Sequence, residues 1–395
     1  MLSQVVLKPR KQHPLAPRHP WVLDSSLEQV VGRPADGDSV ELVSDKGKFL
    51  GRGLYNSHSR IRVRLYTWDR NEPIDAALWR RRLETAVALR RVLRYDDPAG
   101  AARLVFSEGD GLSGLIVDRY ARWLSVQVTA KAIQSRLPEI LPSLVDLVQP
   151  EGVLLRTERM VAKSEGMEVR DGLLWGTPPS GPVAVEDRGL RFEIDIAEGQ
   201  KTGFYLDQRE NRRAAAAYMA GRRVLDVFCY HGGFSLAAAL WGQASECLGI
   251  DSSAAAIEQA RANARLNGLA NVQFEEAEAF PKLQRLAEAG QRFGCVVLDP
   301  PKFARTRHNL DEALRAYHWL NRLGMSLLEP GGILVTCSCS GLVRREDFFQ
   351  MLLGAAHQAD RPVQVLEQRG ASPDHPVPTT CPESEYLKCF ICRVG

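Results

Sequence analysis

The chain has 395 residues, of which 45% are hydrophobic and 25% charged. That length and composition are typical of a globular protein with two or three domains. We find neither an apolar run long enough to span a bilayer nor a recognisable signal peptide, so we expect a cytoplasmic protein with no membrane partner. The net charge of +3 excludes a chain that is basic throughout, but it leaves room for a basic region.

Short apolar segments separated by turn residues fill the first part of the chain, at 40–43, 49–54 and 61–65. This pattern predicts a small β-rich domain over 1–76. The next part combines predicted strands with a predicted helix over 134–148 and a predicted turn at Val117-Asp118-Arg119. We interpret 77–197 as a middle α+β domain.

A helix predicted over 78–94 is rich in arginine. It carries Arg80, Arg81, Arg82, Arg90, Arg91 and Arg94, with Glu84 as its single acid. Such a cluster indicates either a solvated face or a surface for a phosphate backbone.

From residue 198 onward, short buried strands alternate with alanine-rich helices. The predicted strands are 224–228, 246–250, 272–274, 295–298 and 332–335, and the predicted helices are 214–220, 234–241, 254–267 and 310–328. This alternation predicts an α/β domain over 198–395, with a doubly wound and mostly parallel sheet.

All eight cysteines lie in the C-terminal half of the chain, at Cys229, Cys247, Cys295, Cys337, Cys339, Cys381, Cys389 and Cys392. A disulfide framework would be spread more evenly. The short cysteine spacings lack further ligands at zinc-finger distances. We therefore expect reduced, mostly buried thiols and no metal site.

Carboxylates, aromatic residues and glycines follow successive predicted strands of this half. They are Asp226 and Phe228 in the second half of the first strand, Tyr230, Gly232 and Gly233 after it, Asp251 after the second, Glu278 after the third and Asp299 after the fourth. Ligands of doubly wound folds bind at the carboxyl ends of the strands, and a carboxylate such as Asp251 can accept hydrogen bonds from both ribose hydroxyls. The order predicts an S-adenosylmethionine site, and hence a class I methyltransferase.

The fourth strand is followed by Asp299, Pro300, Pro301, Lys302 and Phe303, which we expect to contact substrate. Enzymes that methylate amino groups place an acid or amide, two prolines and an aromatic residue in this position. Here Lys302 separates the prolines from Phe303, so the pattern disfavours an exocyclic amine as the methyl acceptor.

The fifth strand ends in Thr336-Cys337-Ser338-Cys339. A thiolate that adds to C6 of cytosine makes C5 nucleophilic, so thiols at this edge favour methylation of cytosine C5. Strand alternation puts Cys337 and Cys339 on the same face, and periodicity therefore leaves the choice between them open.

With these residues in view, the whole chain resembles the bacterial ribosomal large subunit methyltransferase I family, which makes 5-methylcytosine in 23S ribosomal RNA. The stretches that carry the resemblance are 19–22, 51–56, 59–64, 201–212, 338–341, 374–376 and 385–388. The most specific of them is 201–212, which begins with Lys201-Thr202-Gly203-Phe204-Tyr205-Leu206-Asp207-Gln208-Arg209.

The resemblance implies an RNA-binding PUA domain, a middle domain with a β-hairpin that helps to enclose RNA, and the catalytic domain. It implies that Cys339 is the nucleophile. It also implies that Phe204, Tyr205, Asp207 and Arg209 line the methionine end of the cofactor. Asp299 is expected to bond to the cytosine edge once the base is turned out of its stack.

The chain departs from the family pattern at two positions, where His231 replaces a common threonine and Glu278 a common aspartate. We interpret His231 as a polar contact of the cofactor rather than a general base. His375 is expected to be a locally satisfied turn residue rather than a catalytic one.

Two alternatives remain at this point. One is an RNA methyltransferase that acts on a guanine or adenine nitrogen through the Asp-Pro-Pro loop. The other is a ribosome-assembly factor that binds the cofactor without turnover. The sequence also leaves open which cytosine is modified, whether the substrate is free RNA or a pre-ribosomal particle, and whether the protein is a homodimer.

Overall fold

The computed structural model describes residues 2–11, 18–197, 203–304 and 306–395. The predicted domain start at 198, and Lys201 and Thr202 of the motif above, lie outside the described residues. The chain divides into two compact units. The first comprises Met1–Val185, Ile194–Leu206 and Pro373–Ser384, and the second comprises Glu186–Glu193, Asp207–Ser372 and Glu385–Gly395. Among the described helices, none is both long and apolar enough to cross a membrane.

The first unit contains a six-stranded sheet. Its strands are β1 (Ser3–Leu7), β2 (Trp21–Leu23), β3 (Leu27–Val31), β4 (Ser39–Val43), β5 (Phe49–Tyr55) and β6 (Ile61–Thr67). Their order is β2-β6-β5-β4-β1-β3, with β1 and β4 parallel and the other neighbours antiparallel. Alternate side chains such as Val5, Leu42 and Val63 form its core. The β-rich character predicted for this region is confirmed.

A five-stranded sheet with three helices completes most of the first unit. The elements are α1 (Ala76–Val92), β7 (Ala101–Phe106), β8 (Leu115–Tyr120), β9 (Trp123–Val128), α2 (Lys131–Val148), β10 (Gly152–Arg156), α3 (Arg159–Glu165) and β11 (Gly172–Gly176). The sheet order is β11-β10-β9-β8-β7. Strands β9 and β10 are parallel because α2 makes the crossover between them.

The turn predicted at Val117-Asp118-Arg119 is wrong, since these residues lie inside β8. The reason is a buried ion pair. Asp118 is fully buried and accepts two hydrogen bonds of 2.7 Å from Arg103 on the neighbouring strand. Because polar residues are common in turns, a charged pair that is buried inside a sheet is easily mistaken for a turn from the sequence alone.

The arginines of α1 were predicted to form an exposed face, either solvated or bound to phosphate, and this is wrong for several of them. Arg90 is only 1% exposed and forms a double hydrogen bond, of 2.6 and 2.8 Å, with Asp110. Arg82 donates to the backbone carbonyls of Gly111 and Tyr66. Further pairs are Arg80 with Glu84 and Asp146, and Arg81 with Glu72. Three of the six arginines, Arg80, Arg81 and Arg90, are therefore paired with carboxylates within the first unit.

Strands β12 (Val183–Asp187) and β13 (Leu190–Ile194) form a two-stranded sheet. Arg188 and Gly189 connect them, and their φ angles are 51° and 84°. Two consecutive left-handed residues make the tight turn that matches the twist of a hairpin.

The second unit is built on a seven-stranded sheet. Its elements are α4 (Arg209–Ala216), β14 (Arg223–Val227), α5 (Gly233–Leu240), β15 (Glu246–Asp251), α6 (Ala254–Leu266), β16 (Val272–Glu276), α7 (Ala279–Glu288), β17 (Phe293–Leu298), α8 (Leu310–Ser326), β18 (Leu328–Ser338), α9 (Arg345–Ala359), β19 (Val363–Arg369) and β20 (Lys388–Val394). The helix predicted over 214–220 is wrong in register, because α4 begins and ends earlier.

The sheet order is β16-β15-β14-β17-β18-β20-β19, in which β20 alone runs antiparallel to both of its neighbours. Apolar side chains cover both faces, as shown by the adjacent residues Val224 and Leu225, which belong to different core clusters. The strand order reverses between β14 and β17, and ligands of such sheets bind outside the carboxyl ends of the strands at that point. The predicted doubly wound, mostly parallel α/β fold is confirmed.

Candidate active site

Asp226 lies near the carboxyl end of β14 and is 1% exposed. Its Oδ2 atom accepts hydrogen bonds from the backbone N of Ser235 at 2.9 Å and from Ser235 Oγ at 2.7 Å. Burial raises the pKa of Asp226 to about 6. Its Oδ1 atom is buried and has no hydrogen-bond partner among the described residues. One oxygen of this carboxylate is therefore available to a ligand.

The loop between β14 and α5 has an unusual backbone. Phe228, Tyr230 and Gly232 have φ angles of 65°, 48° and 82°. A Cβ atom at Gly232 would also lie 2.7 Å from the Phe274 ring, so glycine is required there. Left-handed residues other than glycine cost free energy and concentrate at ligand sites, which supports this loop as part of the binding site.

Asp251 ends β15 and holds the same loop. Its Oδ2 accepts a hydrogen bond from the backbone N of Tyr230 at 2.9 Å, and its Oδ1 accepts one from the backbone N of Ser253 at 3.0 Å. The carboxylate is partly exposed, and each oxygen retains capacity for a second donor. Asp251 is thus fixed in orientation with acceptor sites left over.

The two positions that depart from the family pattern differ in their surroundings. The His231 ring stacks on Tyr230, with centroids 3.6 Å apart, and burial lowers its pKa to about 4. A neutral, weakly basic imidazole fits a contact role better than a general base. Glu278 is exposed at the beginning of α7 and makes no capping hydrogen bond with its side chain.

Asp299 follows β17 at the same edge of the sheet. Burial raises its pKa to about 7, and the negative charges of Asp207 and Asp226 add to the effect. Gln208 and Arg212 act in the opposite direction. Near neutral pH, Asp299 can therefore either donate or accept a hydrogen bond.

The residues after Asp299 separate by exposure. Pro300 is buried, whereas Pro301 and Lys302 are exposed. Phe303 is partly buried, and its ring lies 4.8 Å from the Tyr317 ring between centroids. Phe303 thus packs against the core of the second unit, and the side chains that face solvent in this loop are Pro301 and Lys302.

The two candidate thiols are not equivalent. Cys337 is fully buried in β18 and lies opposite Cys389 of β20, and burial raises the pKa of its thiol well above the usual value. Cys339 lies beyond the last residue of β18, so strand alternation does not extend to it as predicted. It is partly exposed, and its Sγ lies 3.9 Å from the carbonyl oxygen of Pro300.

Buried hydroxyl groups fix the loop that carries Cys339. Tyr317 Oη lies 3.0 Å from Ser338 Oγ and 3.1 Å from Ser340 Oγ. Ser340 Oγ also accepts from the backbone N of Ala304 at 3.2 Å, which joins this loop to the one after β17. The residues on both sides of Cys339 are therefore held in place.

The predicted methionine-end residues fall in different units. Phe204 and Tyr205 belong to the first unit, where the backbone N of Phe204 donates to Tyr120 Oη at 3.0 Å. Asp207 and Arg209 belong to the second and are buried. Asp207 Oδ2 accepts from the Tyr386 hydroxyl, whereas its Oδ1 has no partner among the described residues.

Arg209 and His375 each have a charged partner within their own unit. Arg209 forms an ion pair with Asp187 at 3.3 Å, so its guanidinium is already engaged. His375 belongs to the first unit and its Nδ1 lies 2.8 Å from Asp374 Oδ1, which is the local satisfaction expected for it.

The sequence alone gave no role to several polar residues of the second unit, namely the buried Gln208, Arg212, Ser235, Tyr317 and Lys388 and the half-buried Tyr386. Arg212 is fully enclosed, and burial lowers its pKa to about 10. The signal that could have found some of them is the resemblance carried by 201–212 and 385–388, where only Phe204, Tyr205, Asp207 and Arg209 received a predicted role.

The carboxylate groups at this edge of the sheet fit S-adenosylmethionine. The ligand carries a sulfonium, an ammonium group and ribose hydroxyls, all of which are stabilised by carboxylate oxygens. Asp207 and Asp226 each present one buried oxygen without a partner among the described residues. Asp251 is fixed with acceptor capacity to spare. These are the groups that such a cofactor needs.

Comparisons with known proteins agree with this geometry. Residues 173–381, more than half of the chain, match the S-adenosylmethionine-dependent methyltransferase family, and residues 5–68 match a PUA-like domain. Ribosomal RNA large subunit methyltransferase I of Photobacterium profundum is 40% identical over 398 residues, and that of Aeromonas hydrophila is 41% identical over 396 residues. Each match covers 100% of both chains.

Solved structures share the fold along the whole chain. SMU.776, a methyltransferase in complex with S-adenosylhomocysteine, superimposes with a TM-score of 0.87 at 20% identity, and it covers 100% of both chains. A methyltransferase from Streptococcus mutans gives a TM-score of 0.86 at 19% identity, again over 100% of both chains.

The sheet order and the carboxylates after its parallel strands define a class I S-adenosylmethionine-dependent methyltransferase. The protein is thus an enzyme whose cofactor is S-adenosylmethionine. With about 40% identity to these relatives along its whole length, the chain belongs to the ribosomal RNA large subunit methyltransferase I family.

Proposed function

We propose that the enzyme methylates C5 of a cytosine in 23S ribosomal RNA, with Cys339 as the nucleophile that adds to C6. The observation that carries the proposal is the partly exposed Cys339 thiol beside the Pro300 carbonyl, while Cys337 is fully buried. The names of the full-length relatives support ribosomal RNA of the large subunit as the substrate.

Cofactor binding is assigned to the residues around the ends of β14 and β15. Asp226 and Asp251 would accept hydrogen bonds, and the left-handed loop of Phe228, Tyr230 and Gly232 would lie against the ligand. Glu278 is assigned to the adenine end, and Phe204, Tyr205, Asp207 and Arg209 to the methionine end. When bound, S-adenosylmethionine supplies an electrophilic methyl group.

The chemistry of the chain itself begins with the Cys339 thiolate. A bond forms between Sγ and C6 of cytosine, and the electron pair of the C5–C6 double bond moves toward C5, which becomes nucleophilic. After C5 has gained the methyl group, a base removes the C5 proton. The C5–C6 double bond reforms, and the C6–S bond breaks to restore the thiolate.

Asp299 is assigned to the cytosine edge. With its pKa raised to about 7, it can donate a proton in a hydrogen bond to the ring nitrogen or accept one from the amino group. Its position after β17, with Pro300 next to the Cys339 thiol, supports contact with the same base that Cys339 attacks. Pro300, Pro301, Lys302 and Phe303 are assigned to the substrate-binding loop, with the exposed Pro301 and Lys302 as its direct contacts.

For organisation we propose three domains. Residues 1–76 would bind RNA as a PUA-like domain, 77–197 would form a middle domain with a β-hairpin, and 198–395 would form the catalytic domain. The family match at 5–68 supports RNA binding by the first. We propose the cytoplasm, where ribosomal RNA is processed, as the site of action.

Transfer to a purine nitrogen through the Asp-Pro-Pro loop is the competing activity. Against it stand the exposed Lys302 between the prolines and the aromatic ring, and the packing of Phe303 on Tyr317. An aromatic ring held by the core of the unit is less suited to stack on an incoming base.

The test is label transfer. The enzyme is incubated with S-adenosylmethionine tritiated in its methyl group and with unmodified 23S ribosomal RNA, which is then digested to nucleosides. Label in 5-methylcytidine that is lost in Cys339→Ala and retained in Cys337→Ala supports the proposal. Label in an N-methylated purine, or full activity of Cys339→Ala, refutes it.

Two finer parts of the proposal have their own tests. One is that the RNA is methylated within an assembling ribosomal particle. It is tested by comparing the methylation rate of deproteinised 23S RNA with that of precursor subunits under equal conditions. The other is a homodimer as the form of the enzyme, tested by light scattering of the purified protein.

A further inference from the structure

Lys388 is a buried lysine at the start of β20, and only 3% of it is exposed. Its Nζ donates hydrogen bonds to the carbonyl oxygen of Ser340 at 2.6 Å and to that of Tyr386 at 2.8 Å. A lysine so deeply buried is rare unless its charge has a function or a partner. Ser340 directly follows Cys339, so Lys388 binds the loop that carries the proposed nucleophile.

Lys388 remains mostly charged near neutral pH despite its burial. Burial lowers its pKa to about 8, and the charge of Cys339 is the strongest influence in the opposite direction. At pH 7 most of this lysine therefore remains an ammonium ion. Two of its three N–H groups are used by the carbonyls, and the third has no acceptor among the described residues.

Other charged groups near Lys388 cannot replace it. Glu385 and Arg345 form an ion pair with each other at 2.6 Å, so their charges largely cancel. Lys302 is exposed, where water screens its charge. Tyr317 of α8, whose hydroxyl contacts the same loop, has a pKa raised to about 12 by burial and stays neutral. Among the described residues, Lys388 is the buried cation that donates a hydrogen bond to the Cys339 loop.

We infer that Lys388 is a positioning residue for Cys339, whose ammonium group both anchors the Ser340 carbonyl and stabilises the Cys339 thiolate. This inference rests on the proposed role of Cys339 as the nucleophile. The thiol proton passes to solvent when the thiolate forms, and Lys388 keeps its own proton throughout. Without the ammonium charge, the thiolate fraction of Cys339 falls.

The test measures the thiol directly. The full-length protein, without RNA or cofactor, is treated briefly with iodoacetamide between pH 5.5 and 9.5, and alkylation of Cys339 is quantified by peptide mass spectrometry. The other seven cysteines are buried, which keeps the reaction selective. Lys388→Gln retains two N–H donors for the carbonyls but carries no charge, and Lys388→Arg retains the charge. Lys282→Met is the matched control. It removes a lysine of α7 that forms an ion pair with Glu275 of β16.

The expected result is a rise of about one pH unit in the midpoint of Cys339 alkylation in Lys388→Gln, and so a roughly tenfold slower reaction at pH 7. Lys388→Arg should stay close to the wild type, and Lys282→Met should be unchanged. An unchanged midpoint in Lys388→Gln would overturn the inference. If that variant does not fold, as judged by circular dichroism, the midpoint of Lys388→Met decides by the same criterion.

The outcome is independent of the reaction that the enzyme catalyses. A shifted midpoint together with full methylation by Cys339→Ala would refute the proposed function but leave the link between Lys388 and the thiol intact. An unchanged midpoint together with an inactive Cys339→Ala variant would refute the link between Lys388 and the thiol but leave the proposed function intact.

Discussion

The Sγ atom of Cys339 lies 3.9 Å from the carbonyl oxygen of Pro300, so the loop after β18 touches the loop after β17. The two strands are parallel neighbours, with Leu298 opposite Thr336. Because their carboxyl ends meet at one edge of the sheet, the Cys339 thiol and the Asp299 carboxylate lie on adjacent loops, as the proposed attack on a single cytosine requires.

Asp251→Asn should weaken cofactor binding by about tenfold or more. The substitution replaces one oxygen, and an amide NH2 would then face the backbone N–H of either Tyr230 or Ser253. A lost charge-assisted hydrogen bond costs about 1.5–3 kcal/mol. Isothermal titration with S-adenosylhomocysteine measures the change.

Glu246→Gln is the control for that experiment. Glu246 begins β15 at the opposite end of the same strand and forms an exposed ion pair with Arg223 at 2.9 Å. Exposed pairs contribute little free energy, so this variant should bind like the wild type. Equal affinity of Asp251→Asn and Glu246→Gln would remove Asp251 from the cofactor site.

Asp299→Asn should make the protein without cofactor more stable at alkaline pH. A carboxyl with a pKa raised to about 7 binds its proton more tightly in the folded state than in the unfolded one. Stability is therefore lost as pH rises from about 4 to about 7, and an amide does not suffer this loss. We expect the variant to gain about 1–3 kcal/mol relative to the wild type at pH 8.

Urea unfolding of both proteins at pH 5 and pH 8 measures this effect. The difference between the two proteins should be larger at pH 8 than at pH 5. An equal difference at both values would mean that Asp299 is not held in a proton-retaining environment, and its proposed contact with the cytosine edge would lose its physical basis.

Much of the catalytic half was predictable because its signals are local. Strands of buried residues with Asp226, Asp251 and Asp299 at or just beyond their carboxyl ends identify the sheet and its ligand edge without any tertiary information. The difference between Cys337 and Cys339 was not predictable from periodicity. It depends on where β18 ends, and the hydroxyl contacts of Tyr317 that fix the following residues come from a distant helix.

Arg90→Met should destabilise the first unit by about 3–5 kcal/mol. The substitution leaves Asp110 buried without its guanidinium partner, and it also removes hydrogen bonds to the carbonyls of Arg103 and Asp374. Arg91→Met, at the next position of the same helix, replaces an exposed side chain and should change stability by less than about 0.5 kcal/mol. Thermal unfolding followed by circular dichroism compares the two, and similar midpoints would contradict the buried ion pair.

The same helix shows where sequence patterns mislead. Its arginines look alike in the sequence, and their clustering suggested a single positive face. Arg82 instead donates to the carbonyls of Tyr66 and Gly111, and Arg90 donates to the Asp110 carboxylate and the Asp374 carbonyl. All four of these partners lie outside the helix. Partners so distant in sequence leave no trace in local spacing.

The most direct test of the central claim is to trap the covalent adduct. The enzyme is incubated with S-adenosylmethionine and a 23S RNA transcript in which cytidine is replaced by 5-fluorocytidine, because fluorine cannot leave C5 as the proton does. We predict a denaturation-resistant protein–RNA species with the wild type and with Cys337→Ala, and none with Cys339→Ala. Failure of the wild type to form the species, or its formation by Cys339→Ala, would contradict cytosine C5 methylation through Cys339.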